Sequence, residues 1–147
     1  MVALRKPTVS DVPAMQALMA PHILREELLP RSTLSIVQGL RDYTVAEGEG
    51  RLVGLASVRL VDVHLAEIGA VVCQDPSQLN ELLGAVLEEA RAMGVDRAFI
   101  LASDPEPYLE LGFQRTELSD LPEKRDRQCL RCPRLPRCRQ VALVKHL

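Results

Sequence analysis

The chain has 147 residues, of which 47% are apolar, and a formal net charge of −2. This length favours a single domain, the apolar share excludes wholesale disorder, and the near-zero charge argues against a general nucleic-acid binder. The charge is unevenly distributed, however. Residues 1–123 contain 10 Lys and Arg against 19 Asp and Glu, whereas residues 124–147 contain 8 Lys and Arg against one Asp. Any function must account for this basic end.

The N-terminal residues contain no apolar stretch typical of a signal peptide, and no run approaches the ~20 apolar residues of a membrane span. We therefore expect a cytoplasmic protein without a membrane partner. In that compartment the four cysteines are expected to be thiols or metal ligands rather than disulfides.

The first third of the chain predicts one strand and two helices. Val2–Arg5 has the composition of an edge strand. Apolar residues at helical spacing predict a helix over residues 11–29, interrupted near Pro21. Ser32 or Thr33 would cap a second, short helix. The predicted inner face of that helix consists of Leu34, Val37 and Leu40.

The middle of the chain predicts three consecutive strands. Tyr43–Glu47 is followed by a glycine-containing turn and then by the strand Arg51–Val63. His64–Cys73 is a further β-like segment. Both of its faces are fairly apolar, which is typical of a central strand covered by helices.

A longer helix and three strands complete the pattern. Leu79–Met93 carries apolar residues on one helical face, with Ser77 as its candidate N-cap and Gly94 at its end. The elements that follow are a strand, a short helix and two further strands, at Arg97–Ala102, Pro105–Leu111, Phe113–Glu117 and Val141–Val144. The alternation predicts one α/β domain with a mixed sheet over residues 1–147. Residues 119–147 form a basic, Cys- and Pro-rich extension that we expect to pack on this domain.

Several motifs together resemble the GNAT acetyltransferase family. Gly50–Gly54 resembles the hairpin that enters its third strand, Leu65–Ile68 its fourth strand, and Glu88–Val95 its third helix. Tyr108–Phe113 matches the family's Y-x-x-x-G-F. The resemblance implies the GNAT acyl-CoA N-acyltransferase fold, a mostly antiparallel central sheet flanked by helices, and acetyl-CoA as co-substrate. By the same analogy the chain could form a homodimer.

Further segments resemble the N-acetylglutamate synthase branch of this family. They are Leu28–Ser32, Leu121–Lys124 and the spacing C-x2-C-P-x4-C near the C-terminus. This resemblance implies transfer of an acetyl group to the α-amine of L-glutamate or a similar amino acid, as in arginine biosynthesis. The implied partner is therefore a small amino acid.

The resemblance also implies a loop for the cofactor pyrophosphate, Q/R-x-x-G-x-G/A at a helix N-terminus, where main-chain N–H groups bind anions. Aligned from the fourth strand, the candidate cofactor-binding residues are Gln78, Leu79, Asn80, Glu81, Leu82 and Leu83. Aligned from the end of the helix, the loop is Gln74–Leu79. Neither alignment contains the glycines, and the Glu81 carboxylate would repel a pyrophosphate. This departure favours an alternative function, a GNAT-like binding or regulatory module that has lost catalysis.

The family resemblance implies roles for two catalytic side chains. Tyr108 corresponds to the acid that protonates the leaving thiolate, although its ring could instead serve only in packing. Glu67 is the candidate general base, with an ion-paired structural glutamate as the alternative. His64 is a second candidate base. A main-chain N–H near Val71 or Val72 would stabilise the oxyanion. The strand residues implied to contact the cofactor are Val71, Val72 and Cys73.

A dicarboxylate acceptor requires cationic partners, and the two branch-specific motifs each contain one. These are Arg31 and Lys124, our candidates for substrate binding, with solubility as the alternative role of both.

The basic end contains three closely spaced cysteines. Cys129, Cys132 and Cys138 could bind zinc, form a redox pair or remain thiols, and a fourth zinc ligand is not obvious. The surrounding arginines form a patch that would attract the phosphates of CoA or a dicarboxylate. No aromatic residue lies between them for base stacking, so we expect no nucleic-acid partner.

Overall fold

A computed structural model describes residues 2–121 and 140–147, and in these residues seven strands form one sheet. The strands in chain order are β1 Val2–Arg5, β2 Tyr43–Gly48, β3 Arg51–Asp62, β4 Leu65–Cys73, β5 Arg97–Ala102, β6 Gln114–Thr116 and β7 Val141–His146. Their spatial order is β1-β2-β3-β4-β5-β7-β6. Only the β4–β5 pair is parallel within this described sheet. The predicted mixed, mostly antiparallel α/β architecture is confirmed.

Four α-helices of the described residues cover this sheet: α1 Val12–Leu24, α2 Thr33–Gln38, α3 Leu79–Ala92 and α4 Glu106–Glu110. One face of the sheet packs against the apolar stripe of α3. We call the buried residues between this face and the helix the α3 core. Its helical members are Leu82, Leu83, Val86, Leu87 and Ala90. The other face packs against α1 and α2 through Met15, Met19 and Ile36, which we call the α1 core.

Three local predictions in these helices are wrong. The first helix runs through Pro21 but ends at Leu24 rather than Leu29, because Glu26 adopts a left-handed φ of 60°. In α2, the predicted residues Val37 and Leu40 do pack against the α1 core, but Leu34 is 63% exposed and Ile36 is the buried residue instead. Asp75, and not Ser77, caps the segment before α3 by accepting a hydrogen bond from the Ser77 N–H at 3.0 Å.

The β2–β3 hairpin and the caps follow the sequence pattern more closely. The turn residues Glu49 and Gly50 both have positive φ, at 54° and 78°, which suits the twist of a two-residue hairpin. The Ser32 side chain accepts a hydrogen bond from the Ser35 N–H at 3.0 Å and so caps α2. Gly94, with a φ of 93°, follows the end of α3 as predicted.

The described C-terminal residues complete the sheet, because β7 lies between β5 and β6. The packing of the whole segment 119–147 stays a prediction, because residues 122–139 lie outside the described ones. Among the helices that the structure describes, none has the length and apolar character needed to cross a membrane.

Candidate active site

Strand β4 changes its pairing halfway along its length. Its parallel pairing with β5 ends at Ile68–Ile100. Its pairing with β3 shifts between Ser57–Gly69 and Leu55–Val72, which places an extra residue in β4. Ala70 lies in this bulge with a φ of 50°, a conformation that costs a non-glycine residue roughly 1–2 kcal/mol. The bulge marks the point at which β4 and β5 separate.

The separated strand ends border a cleft of about 190 Å³. Its walls are Gly69–Val71 of β4, residues 100–104 at the end of β5, the end of α1 with the loop after it, and α4. The α1 wall belongs to one face of the sheet, whereas the α4 residue Tyr108 packs against the α3 core on the other. The cleft therefore gives access to β4 from both faces. Its polar lining side chains are His22, Glu27, Ser103, Asp104 and Tyr108.

Tyr108 is held at the cleft by packing. Its ring meets the ring of Phe113 edge-on, with the centroids 6.0 Å apart and the planes at 81°. Burial, with smaller contributions from the charges of Asp104 and Cys73, raises the pKa of Tyr108 to about 12. The phenol is therefore protonated at neutral pH and can act as a hydrogen-bond donor in the cleft.

The directions in which the main-chain N–H groups of β4 point show which of them could face a ligand in the cleft. The Gln74 N–H donates to the Val53 oxygen at 2.9 Å, so in this antiparallel ladder Val72 also points its N–H toward β3. Cys73, between them, points its N–H away from β3, and Val71 lines the cleft. Val71 and Cys73 are thus the better-placed members of the predicted trio. The Cys73 thiol is half-buried, donates to the Asp75 oxygen at 3.0 Å and has a pKa raised mainly by burial.

The predicted cofactor loop falls partly inside the core. Leu82 and Leu83 are 0% and 1% exposed, so their side chains are unavailable to a ligand. Four of the six residues 78–83 precede them at the start of α3: Gln78, Leu79, Asn80 and Glu81. The alternative segment Gln74–Leu79 spans the connection between β4 and α3, which is where a loop before a helix N-terminus belongs.

This connection provides a mixed environment for a pyrophosphate. The first turn of α3 offers main-chain N–H donors, and the Gln78 Oε1 atom is buried without a hydrogen-bond partner among the described residues. The carboxylates of Asp75 and Glu81 lie at the same helix end. Hydrogen bonds from Ser77 lower the pKa of Asp75, so that this carboxylate is charged. The main-chain donors of this helix end suit a phosphate, whereas the two carboxylates beside them oppose one.

Glu67 lies on β4 before the separation point, on the face covered by α1. Its Oε1 is 3.5 Å from the Arg59 guanidinium, and its side chain is 15% exposed. It does not line the cleft, although Gly69, two residues further on the same face, does.

Arg31 reaches this face from the loop after α1. Its Nη1 donates to the Tyr43 hydroxyl at 2.7 Å, and its guanidinium lies 5.9 Å from the centre of the Tyr43 ring. Its Nη2 lies 3.5 Å from the position that a Cβ on Gly69 would occupy. Arg31 therefore lies against β4 beside Gly69, which lines the cleft.

The other predicted residues are not brought to this site. His64 lies in the β3–β4 turn at the far end of β4, where its Nδ1 is 3.7 Å from Asp96. The substrate candidate Lys124 and the metal candidates Cys129, Cys132 and Cys138 lie outside the described residues. Over residues 2–121 and 140–147, no group of three His, Cys, Asp or Glu residues could hold a metal ion.

Sequence reasoning missed His22 and Glu27. Neither residue belongs to a motif, and they meet only because the chain folds back after α1. Here the Glu27 and Leu28 N–H groups both donate to the His22 oxygen, at 2.9 and 3.3 Å.

Known proteins resemble this chain in sequence, and solved structures resemble it in fold. An uncharacterized N-acetyltransferase of Chlorobaculum tepidum is 26% identical over 147 residues, which cover 97% of this chain and 95% of that protein. The amino-acid acetyltransferase of Pasteurella multocida is 29% identical over 128 residues, which cover 83% of this chain and 29% of that protein. No protein-family model matches the chain.

A solved structure extends the likeness over the whole chain. The N-acetylglutamate synthase of Neisseria gonorrhoeae, complexed with coenzyme A and N-acetyl-glutamate, superposes with a TM-score of 0.89 at 27% identity. The match covers 100% of this chain and 35% of that chain, so the present chain spans about a third of the length of that synthase. The resemblance found in the motifs is confirmed: the chain has the GNAT fold and is related to N-acetyltransferases, among them the amino-acid acetyltransferases and N-acetylglutamate synthase.

Proposed function

We propose that the chain transfers the acetyl group of acetyl-CoA to the α-amine of L-glutamate or a similar amino acid, a reaction of arginine biosynthesis. The observation that supports this most is the cleft where β4 and β5 separate, with Tyr108 in its wall. The likeness to a synthase complexed with coenzyme A and N-acetyl-glutamate adds support for the choice of both substrates.

The acceptor would bind on the α1 side of the cleft, where Arg31 lies. A guanidinium can pair with a carboxylate through two parallel hydrogen bonds, which suits an amino acid with one or two carboxylates. The contacts of Arg31 with Tyr43 and Gly69 support this role, because they hold the guanidinium beside Gly69, a residue that lines the cleft. Lys124 is proposed as the second cationic partner on the sequence resemblance alone.

The thioester would lie between the separated strands. A main-chain N–H of Val71 or Cys73 would stabilise the oxyanion, and a preorganised donor of this kind contributes about 2.7–4 kcal/mol in other enzymes. Tyr108 would donate its proton to the leaving thiolate from the other side of the sheet. Glu67 would accept a proton through water, because its side chain does not line the cleft.

A second candidate function is a GNAT-like module that binds an amino acid without catalysis. The observation that favours it is the pair of carboxylates, Asp75 and Glu81, at the start of α3. Their charge opposes a pyrophosphate at the position where the family resemblance implies one.

Calorimetry and a CoA-release assay separate the two candidates. For the acetyltransferase we expect saturable binding of acetyl-CoA and release of free CoA that depends on L-glutamate. Acetyl-CoA binding that is absent at millimolar concentration would exclude the acetyltransferase. Binding of glutamate under the same conditions would then favour the non-catalytic module.

The double variant Asp75→Asn, Glu81→Gln tests the electrostatic argument directly. It removes two negative charges from the helix end without changing side-chain size, so we expect tighter acetyl-CoA binding. The matched control is Glu88→Gln, a change of an exposed carboxylate near the other end of the same helix. This control should leave the affinity unchanged.

A further inference from the structure

We propose that Tyr43 is a positioning residue, whose hydroxyl fixes the guanidinium of Arg31 so that it can pair with a carboxylate of the acceptor. The proposal rests on the amino-acid acceptor proposed above, and it assigns a role to a residue that belongs to none of the motifs. It begins from a row of residues that crosses three strands and ends at the cleft.

The row runs from β2 to β4 on one face of the sheet. Tyr43 of β2 lies opposite Ser57 of β3, and Ser57 lies opposite Gly69 of β4. Residues that lie directly opposite each other point to the same face, and Tyr43 packs in the α1 core. Gly69 lines the cleft. The row therefore connects a buried phenol with the acceptor side of the cleft.

The Arg31 guanidinium lies across this row. At one end its Nη1 donates to the Tyr43 hydroxyl at 2.7 Å. At the other end its Nη2 lies 3.5 Å from the position that a Cβ on Gly69 would occupy. The guanidinium carbon is also 5.9 Å from the centre of the Tyr43 ring, within the range of a cation–π contact. A hydrogen bond and a ring contact with the same side chain thus hold the guanidinium in place.

Tyr43 is held more firmly than the arginine that it contacts. Its side chain is buried, with 4% exposed, and it begins the strand β2. Arg31 is partly exposed in the connection between α1 and α2. A long arginine side chain loses rotamer freedom when a ligand fixes it. An anchor that fixes it beforehand lowers this cost of binding.

The anchor is neutral, so the charge of Arg31 remains available to a ligand. Arg5, Arg25 and Arg59 are each paired with a carboxylate. Among the residues that the structure describes, no carboxylate pairs with Arg31. A hydroxyl oxygen accepts one hydrogen bond and leaves the positive charge uncompensated. The N–H groups of Nε and Nη2 then remain for two parallel hydrogen bonds to a carboxylate.

The middle residue of the row has a different task. The Ser57 hydroxyl donates to the Gly69 oxygen at 2.9 Å, at the point where the pairing of β3 and β4 shifts. Its only proton is thereby used by the main chain of β4. A substitution of Ser57 would disturb the strand itself, so Tyr43 is the position at which the anchoring of Arg31 can be tested separately.

Tyr43→Phe removes the hydroxyl and keeps the ring. In the full chain, with folding checked by thermal unfolding, we expect the KM for L-glutamate to rise about 2- to 12-fold, the range that one hydrogen bond contributes. The Kd for L-glutamate, measured by calorimetry, should rise equally, whereas kcat and the affinity for acetyl-CoA should stay unchanged. Thr44→Val is the matched control, because it removes a hydroxyl from the next buried residue, on the other face of β2. It should alter none of these constants.

A double-mutant cycle separates positioning from an independent structural effect. If Tyr43 acts through Arg31, Tyr43→Phe should raise the KM in the wild type and add nothing in an Arg31→Gln background. Effects that multiply in the double variant would show that Tyr43 does not act through Arg31. If Tyr43→Phe fails to fold, Arg31→Lys provides the test. A single ammonium lacks the planar fork of the guanidinium, so the KM should rise, and an unchanged KM would contradict the proposal.

Failure of this proposal and failure of the acetyl transfer would give different results. If the wild type turns over and Tyr43→Phe keeps its KM and Kd for L-glutamate, only the role of Tyr43 is wrong. If the wild type binds L-glutamate but releases no CoA, the acetyl transfer is wrong, and the Kd of Tyr43→Phe still decides the role of Tyr43. If the wild type binds neither acetyl-CoA nor L-glutamate, the acetyl transfer fails and the role of Tyr43 fails with it.

Discussion

The two halves of β4 differ in what they contribute to the molecule. From Leu65 to Ile68 the strand is paired on both sides, and it packs with the fully buried Phe99 of β5. From Gly69 to Cys73 it contains a bulge, a left-handed alanine and a cleft in place of β5. The first half stabilises the sheet, and the second half leaves its main chain open to the cleft. Substitutions in or beside the first half should therefore alter unfolding, and those beside the second should alter turnover.

Among substitutions beside the second half of β4, Tyr108→Phe should have the largest effect on turnover. The variant keeps the ring that packs on Phe113 but loses the proton donor, so we expect kcat to fall about 10²- to 10⁴-fold. Thermal unfolding and acetyl-CoA affinity should change little. A CoA-release assay checks the rate, and an unaltered kcat would mean that Tyr108 serves only in packing.

Among substitutions beside the first half of β4, Phe99→Ala should have the largest effect on the free energy of unfolding. The side chain is fully buried opposite Glu67, so we expect the free energy of unfolding to fall by about 3–5 kcal/mol. Urea denaturation measures the change. Leu60→Ala, at an exposed position of β3, is the control and should stay within about 0.5 kcal/mol of the wild type. Equal losses in the two variants would show that the burial of Phe99 does not stabilise this half of β4.

Gly69→Ala tests the point where the two halves meet. The added Cβ would lie 3.3 Å from Ser57 Oγ, which must shift slightly, and 3.5 Å from Arg31 Nη2, an ordinary contact that covers part of the guanidinium. We expect the KM for the acceptor to rise by up to about tenfold, equivalent to about 1.4 kcal/mol, with kcat less affected. Gly84→Ala is the matched control, because its Cβ would meet nothing within 4 Å. A KM that rises equally in both variants would mean that Arg31 does not contribute to acceptor binding.

Asp11→Asn tests a region remote from both halves. Asp11 accepts two hydrogen bonds from Arg5, at 2.8 and 2.9 Å, and one from the Thr8 N–H at 2.7 Å. The loss should cost about 1 kcal/mol of unfolding free energy at neutral pH and leave turnover unchanged. Hydrogen bonding to Arg5, above all, lowers the pKa of Asp11 to about 2.

The pH dependence of this stabilisation follows from that lowered pKa. The wild-type advantage should be complete above the unfolded-state pKa of about 3.9 and disappear as the pH falls toward 2. Denaturation at a series of pH values measures it. An advantage that persists unchanged at the acidic end would contradict the ion pair.

The smallest expected change concerns Tyr108 at alkaline pH. Because burial raises the pKa of Tyr108 to about 12, its donor function should survive throughout the mildly alkaline range. The tyrosinate absorbance of the wild type minus that of Tyr108→Phe isolates this one phenol. Ionisation in the ordinary tyrosine range near 10 would show that the cleft is more hydrated than its packing indicates.

Periodicity predicted the longer strands because they are apolar segments bounded by turn residues, whereas the short strand β6 is polar throughout. It could not predict the end of α1, the inward position of Ile36 or the capping by Asp75. These depend on tertiary packing and on single backbone conformations rather than on spacing. The bulge at Ala70 had no sequence signal either, since a glycine would be the usual sign of a left-handed residue.

Cleft residues that belong to a family motif could be predicted from the sequence. Cleft residues that come together only through tertiary folding could not. The Y-x-x-x-G-F motif pointed to Tyr108, which does line the cleft. His22 and Glu27 approach through a reversal of the chain that no motif encodes. The cofactor segment was ambiguous because its glycines are missing, and the start of α3 at Leu79 leaves Gln74–Gln78 ahead of the helix.

The position of β7 has a consequence for the order of events during synthesis. Strand β6 pairs only with β7 in the described sheet, and β7 also covers the outer edge of β5. A growing chain thus carries two unprotected strand edges until its β7 residues have left the ribosome. Closing these long-range pairs late costs loop entropy and slows folding. Chaperone dependence would therefore be greatest in the interval between the emergence of β6 and that of β7.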